Sequence, residues 1–180
     1  FRSPFDTDIS RHLSALFRKK GIRTVTGAGV RKIEEKDGAL SVSYELSGKE
    51  ESLPADAVLI ATGRHPETQG LLPMEADMER GFFKVNEHFE TSVPGIYAIG
   101  DIVYGGIQLA HAAEAEGKAA AAAIAGKERA IDMALVPQCV YTIPEIAAVG
   151  ISEDQAKKDG LSFKTSRVVM GSNAKSLIAD

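Results

Sequence analysis

Residues 91–101, Thr-Ser-Val-Pro-Gly-Ile-Tyr-Ala-Ile-Gly-Asp, constrain the fold of this 180-residue chain more than any other stretch. The largely apolar residues 96–99 read as a strand that runs into Gly100 and Asp101. An alanine-rich helix is expected soon after, over about 107–125, with Gly126 as its stop. A strand that ends in glycine lets another molecule approach the backbone closely. An aspartate at that point offers a carboxylate to hydroxyl groups. The helix start that follows supplies free N–H groups and a positive dipole end. A second run, Asp56-Ala57-Val58-Leu59-Ile60-Ala61, ends in Thr62-Gly63-Arg64-His65-Pro66. Its nearly continuous apolar character suits a strand buried on both faces of a parallel sheet. Open α/β sheets bind ligands at the carboxyl edge of such strands.

The rest of the chain organises around these two runs. Asp6 is a good N-cap for a helix at about 6–20, with Ile9, Leu13, Leu16 and Phe17 on one face. Arg18, Lys19 and Lys20 favour its negative end and Gly21 stops it. A short strand is predicted at 22–26. Antiparallel strands are predicted at 30–35, 40–46 and about 50–53, with turns at Lys36-Asp37-Gly38 and Ser47-Gly48. A loop-rich stretch covers about 67–80, followed by a short strand at 82–85. Further strands are expected at 136–141, 146–149 and 161–169, with Ser152 capping a short helix before the last. Boundaries near Pro66 and Pro137 divide the chain into residues 1–66, 67–135 and 136–180.

Composition narrows the function classes. A formal net charge of -4 gives no electrostatic reason to expect nucleic acid or an anionic membrane surface. No apolar run is long enough to span a bilayer, and the N-terminus does not read as a signal peptide. The chain opens on Phe1, which looks like an interior cut from a longer protein. Its one cysteine excludes an internal disulfide framework and makes the cytoplasm the default compartment.

The pairing of Ala61-Thr62-Gly63 with Gly100-Asp101, in this order, resembles the FAD-dependent pyridine nucleotide–disulfide oxidoreductases. The later run Gln108-Leu109-Ala110-His111-Ala112-Ala113, closed by Glu116-Gly117, resembles the dihydrolipoyl dehydrogenase branch in particular. Residues 140–150, Val-Tyr-Thr-Ile-Pro-Glu-Ile-Ala-Ala-Val-Gly, resemble the opening of the family's dimerisation domain, and Asn173-Ala174-Lys175 a later part of it. Pro4-Phe5-Asp6 loosely fits a helix opening in the family's NAD domain.

The resemblance implies an α/β chain. It would hold parts of two Rossmann-like FAD/NAD(P)-binding domains, then the start of an α+β dimerisation domain. It further implies that Asp101 hydrogen-bonds a ribityl hydroxyl of FAD beside Gly100, and that Gln108, Leu109, Ala110 and His111 lie near the flavin. Val30 would lie near the adenine end of NAD and Gly63 near its nicotinamide half. The expected whole is a homodimer in which dihydrolipoyl groups reduce a redox disulfide, the dithiol reduces FAD, and NAD accepts hydride. Lipoyl domains of 2-oxoacid dehydrogenase complexes are possible partners. The choice of NAD over NADP follows from the branch alone.

Other features read as structural. Gly27-Ala28-Gly29 only begins a Gly-x-Gly-x-x-Gly pattern, because Lys32 holds the last place and a strand follows. Glu114 and Glu116 are two apart on a helix and share no face. His12, His65 and His88 lack partners at metal-ligand spacing. The resemblance places the catalytic histidine beyond residue 180, so His111 is expected to pack and hydrogen-bond rather than transfer protons. Cys139 has no second cysteine to pair with and is expected to be a small buried residue. Two alternatives stay open: another member of the family, of glutathione or mercuric reductase type or a soluble transhydrogenase, or a non-catalytic interaction module on the same scaffold.

Overall fold

The computed structural model describes residues 5–71, 75–129 and 131–178, so Pro4 lies outside the described residues. The chain divides into two compact units, one made of Ser10–Glu67 and the other of Phe1–Ile9 with Thr68–Asp180.

In the unit Ser10–Glu67, the main body of helix α1 (Thr7–Lys19) is followed by a three-stranded antiparallel meander. Leu13 is buried on α1, and Leu16 and Phe17 are half-buried beside it on the expected apolar face. The meander consists of β1 (Gly29–Lys36), β2 (Ala39–Leu46) and β3 (Lys49–Ala55), in that order. Its two hairpins close through two-residue loops whose residues all have positive φ: Asp37 and Gly38, then Ser47 and Gly48. That geometry matches the right-handed twist of the flanking strands. Tyr44 on the central strand is buried, and its hydroxyl donates to Glu51 Oε2 at 2.7 Å. This bond, together with burial, raises the Tyr44 pKa above its ordinary value.

Two predicted strands of this unit do not form. Residues 22–25 and 57–61 carry no strand pairing, and Leu59 is 90% and Ile60 71% exposed. The apolar run at 56–61 has the composition of a doubly buried strand, yet no neighbouring strand pairs with it. A strand exists only where a second backbone accepts its ladder of hydrogen bonds.

The other unit has two packed clusters. In the first, β4 (Met78–Glu79) pairs with β5 (Phe82–Phe83), and Phe83 packs with Ala98 and Val103. Tyr104 N–H donates to Phe83 O at 2.9 Å, and Ala98 N–H donates to Phe89 O at 3.0 Å. These bonds hold residues 96–99 in an extended path with a single antiparallel bridge, Glu90 to Tyr97. The strand expected there is therefore replaced by an isolated bridge. In the second cluster, Ala112 and Ala115 of α2 (Ala110–Ile124) pack with Val136. Strands β6 (Gln138–Val140) and β7 (Ile146–Ala148) pair antiparallel, as the sequence predicts but one to three residues shorter. Cys139 lies on β6 as a free, half-buried thiol rather than a fully buried one.

Ser152 caps α3 (Glu153–Lys158), its Oγ accepting from Gln155 N–H at 3.1 Å. Residues 161–169 form no strand, with Val168 and Val169 more than four-fifths exposed, and α4 (Ala174–Ile178) follows. The start of α1 and the start of α3 cap each other. Asp154 Oδ2 accepts from Thr7 N–H at 2.7 Å and from Thr7 Oγ1 at 2.6 Å. In return Asp6 Oδ1 accepts from Asp154 N–H at 2.8 Å. Each carboxylate thus meets the positive end of the other helix.

Candidate functional site

The candidate site is built on residues 99–111. Gly100 opens a 3-10 turn, Gly100–Ile102, at φ +75, and a Cβ added there would meet Ala113 Cβ at 3.2 Å. Both the backbone conformation and the space therefore call for glycine. The turn exposes Asp101. The chain then loops through Gly105 and Gly106 to the N-cap of α2, Leu109, which offers no side-chain cap. The Gln108 side-chain amide reaches back and donates to Asp101 O at 3.4 Å. The main chain at Asp101 and the start of α2 are thus tied together by a residue already singled out from the sequence.

Beneath this surface lies a group that sequence reasoning assigned to a structural background. Glu116 is 4% exposed, and its Oε2 accepts from Gly100 N–H at 2.6 Å. Burial raises its pKa, the Gly100 bond lowers it, and the Asp101 charge raises it further; the net direction is upward. Glu114 and Glu116 share no face: Glu114 is exposed and Glu116 turns inward. An inward-facing acid in an alanine-rich stripe was the available signal.

The remaining predicted residues have clear places. Leu109 is half-buried and its side chain packs on the Ala112, Ala115 and Val136 cluster. Ala110 is exposed at the first turn. His111 Nε2 lies 2.7 Å from Pro137 O, and since a carbonyl only accepts, that nitrogen carries the proton. His111 therefore ties α2 to the segment entering β6. Val30, on β1, and Gly63, at φ +128 in an exposed loop, both belong to the unit Ser10–Glu67. Among the described residues no cluster of three potential metal ligands occurs, and no helix is long and apolar enough to cross a membrane.

An exposed carboxylate on a glycine turn, followed after a short loop by a helix start with no side-chain cap, is a layout for polar groups of a large cofactor in an α/β protein. Residues 1–117 match the pyridine nucleotide-disulphide oxidoreductase family, and residues 136–180 match the dimerisation domain of the same family. The chain belongs to this family of oxidoreductases. It is 38% identical over 179 residues to a dihydrolipoyl dehydrogenase of Staphylococcus aureus, and 39% identical over 178 residues to one of Geobacillus stearothermophilus. These alignments cover 98% and 97% of the chain and 38% of each relative, so the chain spans about two fifths of their length. Its fold is similar to LpdA of Mycobacterium tuberculosis, at a TM-score of 0.80 and 24% identity over 97% of this chain and 38% of that one. It is equally similar in TM-score, 0.80, to the flavoprotein disulfide reductase RclA of Escherichia coli, at 26% identity over 99% of this chain and 40% of that one.

Proposed function

We propose that this chain is part of a flavin-dependent disulfide oxidoreductase that oxidises protein-bound dihydrolipoamide with NAD as acceptor. The observation that carries this reading is the bond from the Gln108 amide to the Asp101 main-chain oxygen, which ties the residue bearing the exposed carboxylate to the start of α2. Asp101, beside Gly100, would accept hydrogen bonds from the hydroxylated tail of FAD. Gln108, Leu109, Ala110 and His111 would border its ring at the positive end of α2. When bound, FAD supplies the electron-accepting ring that links a dithiol to a nicotinamide.

Val30 and Gly63 would face the NAD, giving the region 1–66 a nicotinamide-binding role, 67–135 a flavin-binding role and 136–180 a role in homodimer contact. The chain's one cysteine cannot form a redox disulfide within the chain. The purified 180-residue chain is accordingly expected to lack disulfide reductase activity. The names of the bacterial relatives favour dihydrolipoamide as substrate, and the lack of an internal disulfide framework favours a cytoplasmic setting. The likeness to a flavoprotein disulfide reductase keeps a different disulfide substrate as the second reading.

The test is chromophore release from the intact oxidoreductase carrying these residues. Acid denaturation should free FAD, and Asp101→Ala should weaken FAD retention by about tenfold or more, as expected for the loss of a hydrogen-bonding carboxylate. A folded Asp101→Ala variant that keeps FAD at wild-type affinity overturns the assignment of Asp101. Oxidation of dihydrolipoamide with NAD, against no turnover of glutathione disulfide, separates the two substrate readings.

A further inference from the structure

Glu116 lies buried beneath the candidate site. Its Oε2 holds the Gly100 N–H at 2.6 Å. Its other oxygen faces the next turn, where a Cβ on Gly106 would lie 3.6 Å from Oε1 and 3.4 Å from Val103 O. One carboxylate, fixed on the second turn of α2, thus borders both ends of the loop that carries Asp101. Two close approaches frame it: Gly100 against Ala113, and Gly117 against Ile99 Cδ1, each 3.2 Å from a built Cβ. All buried side-chain polar atoms among the described residues are satisfied, so the Gly100 bond is one fixed member of a closed set.

We infer that Glu116 is a positioning residue for the flavin site: its carboxylate pins the Gly100 amide and thereby sets where Asp101 presents its oxygens. A glycine at φ +75 has many alternative conformations, and a short bond from a buried acceptor selects one of them. Backbone rotation at Gly100 is transmitted directly to its neighbour Asp101. Displacement of an acceptor by a fraction of an ångström weakens a hydrogen bond to a ligand, so the reach of Glu116 should matter more than its charge. The inference rests on the flavoprotein reading given above.

The experiment compares FAD dissociation constants of the intact oxidoreductase with those of its Glu116→Gln and Glu116→Asp variants, each checked for native circular dichroism. Glu116→Gln keeps the reach and an acceptor oxygen for Gly100 but loses the charge. Glu116→Asp keeps the charge but is one methylene too short. The expected result is FAD affinity within about threefold of wild type for Glu116→Gln and at least about tenfold weaker for Glu116→Asp. Equal affinities for all three proteins, or a Glu116→Gln loss as large as that of Glu116→Asp, overturn the inference. Should Glu116→Asp fail to fold, Glu116→Met, which keeps the length and removes the acceptor, takes its place: a loss of at least about tenfold beside Glu116→Gln retention supports the role, and wild-type affinity in Glu116→Met overturns it. A wild-type protein that releases no flavin removes the flavoprotein reading and this inference with it. Wild-type flavin with unaltered variants removes only the inference.

Discussion

At the scale of single residues, glycines and one buried acid carry the site. Gly100 and Gly117 would each place a new Cβ 3.2 Å from a neighbour, but the two positions are not equivalent. At Gly100 the φ of +75 is strained for any L side chain, and the obstacle is Ala113 Cβ on a packed helix. Gly100→Ala should therefore cost about 1–3 kcal/mol of stability, read from urea unfolding. At Gly117 the obstacle is the flexible end of a partly exposed Ile99, and alanine improves helix propensity by about 1 kcal/mol, so Gly117→Ala should be close to neutral. Glu116 supplies a pH test. Its folded-state pKa lies above the ordinary 4.5, chiefly through burial. Its contribution to stability is therefore complete below that value and is lost as pH rises through the raised one. Relative to Glu116→Gln, the wild type should lose stability between about pH 4.5 and pH 7, measured as urea midpoints at both. A constant difference across that range would show that Glu116 does not titrate differently in the folded state.

At the scale of elements, the features written in local chemistry were legible. The α1 face of Leu13, Leu16 and Phe17, the Ser152 cap and the two hairpin turns follow from spacing and turn residues within a few positions of each other. The antiparallel strands β1 to β3 were also legible, because each finds its partner through a two-residue loop. The reciprocal capping of α1 and α3 was not, since Asp6 and Asp154 are 148 residues apart. That contact can be measured. Thr7→Ala and Asp154→Ala should each destabilise by about 1 kcal/mol, as loss of a helix cap does. In a double-mutant cycle they should couple by about 0.5 kcal/mol or more, because one carboxylate accepts both Thr7 bonds. Strict additivity would show that the two side chains act separately.

At the scale of the whole molecule, the apolar exposure is the dominant fact. Leu59, Ile60, Tyr141, Ile143, Val168, Val169 and Ile178 all lie more than 70% exposed. Apolar surface of this kind favours association. The purified 180-residue chain is expected to bind a hydrophobic dye and to scatter light increasingly with concentration. A monodisperse, dye-silent monomer would contradict this. The same surface marks where sequence reading and structure part. Residue order made runs 56–61 and 161–169 strand-like, and placed Gly100 and Asp101 on a turn just before the alanine-rich helix, which is the layout the proposed flavin site uses. Those properties reside in consecutive residues and their backbone preferences. Only the tertiary structure decided that the apolar runs stay unpaired, that Gln108 bonds back to Asp101, that His111 is committed to Pro137 O, and that Glu116 lies under Gly100. Each of these depends on which distant backbone or side chain arrives to complete a hydrogen bond, and chain order alone carries no record of that meeting.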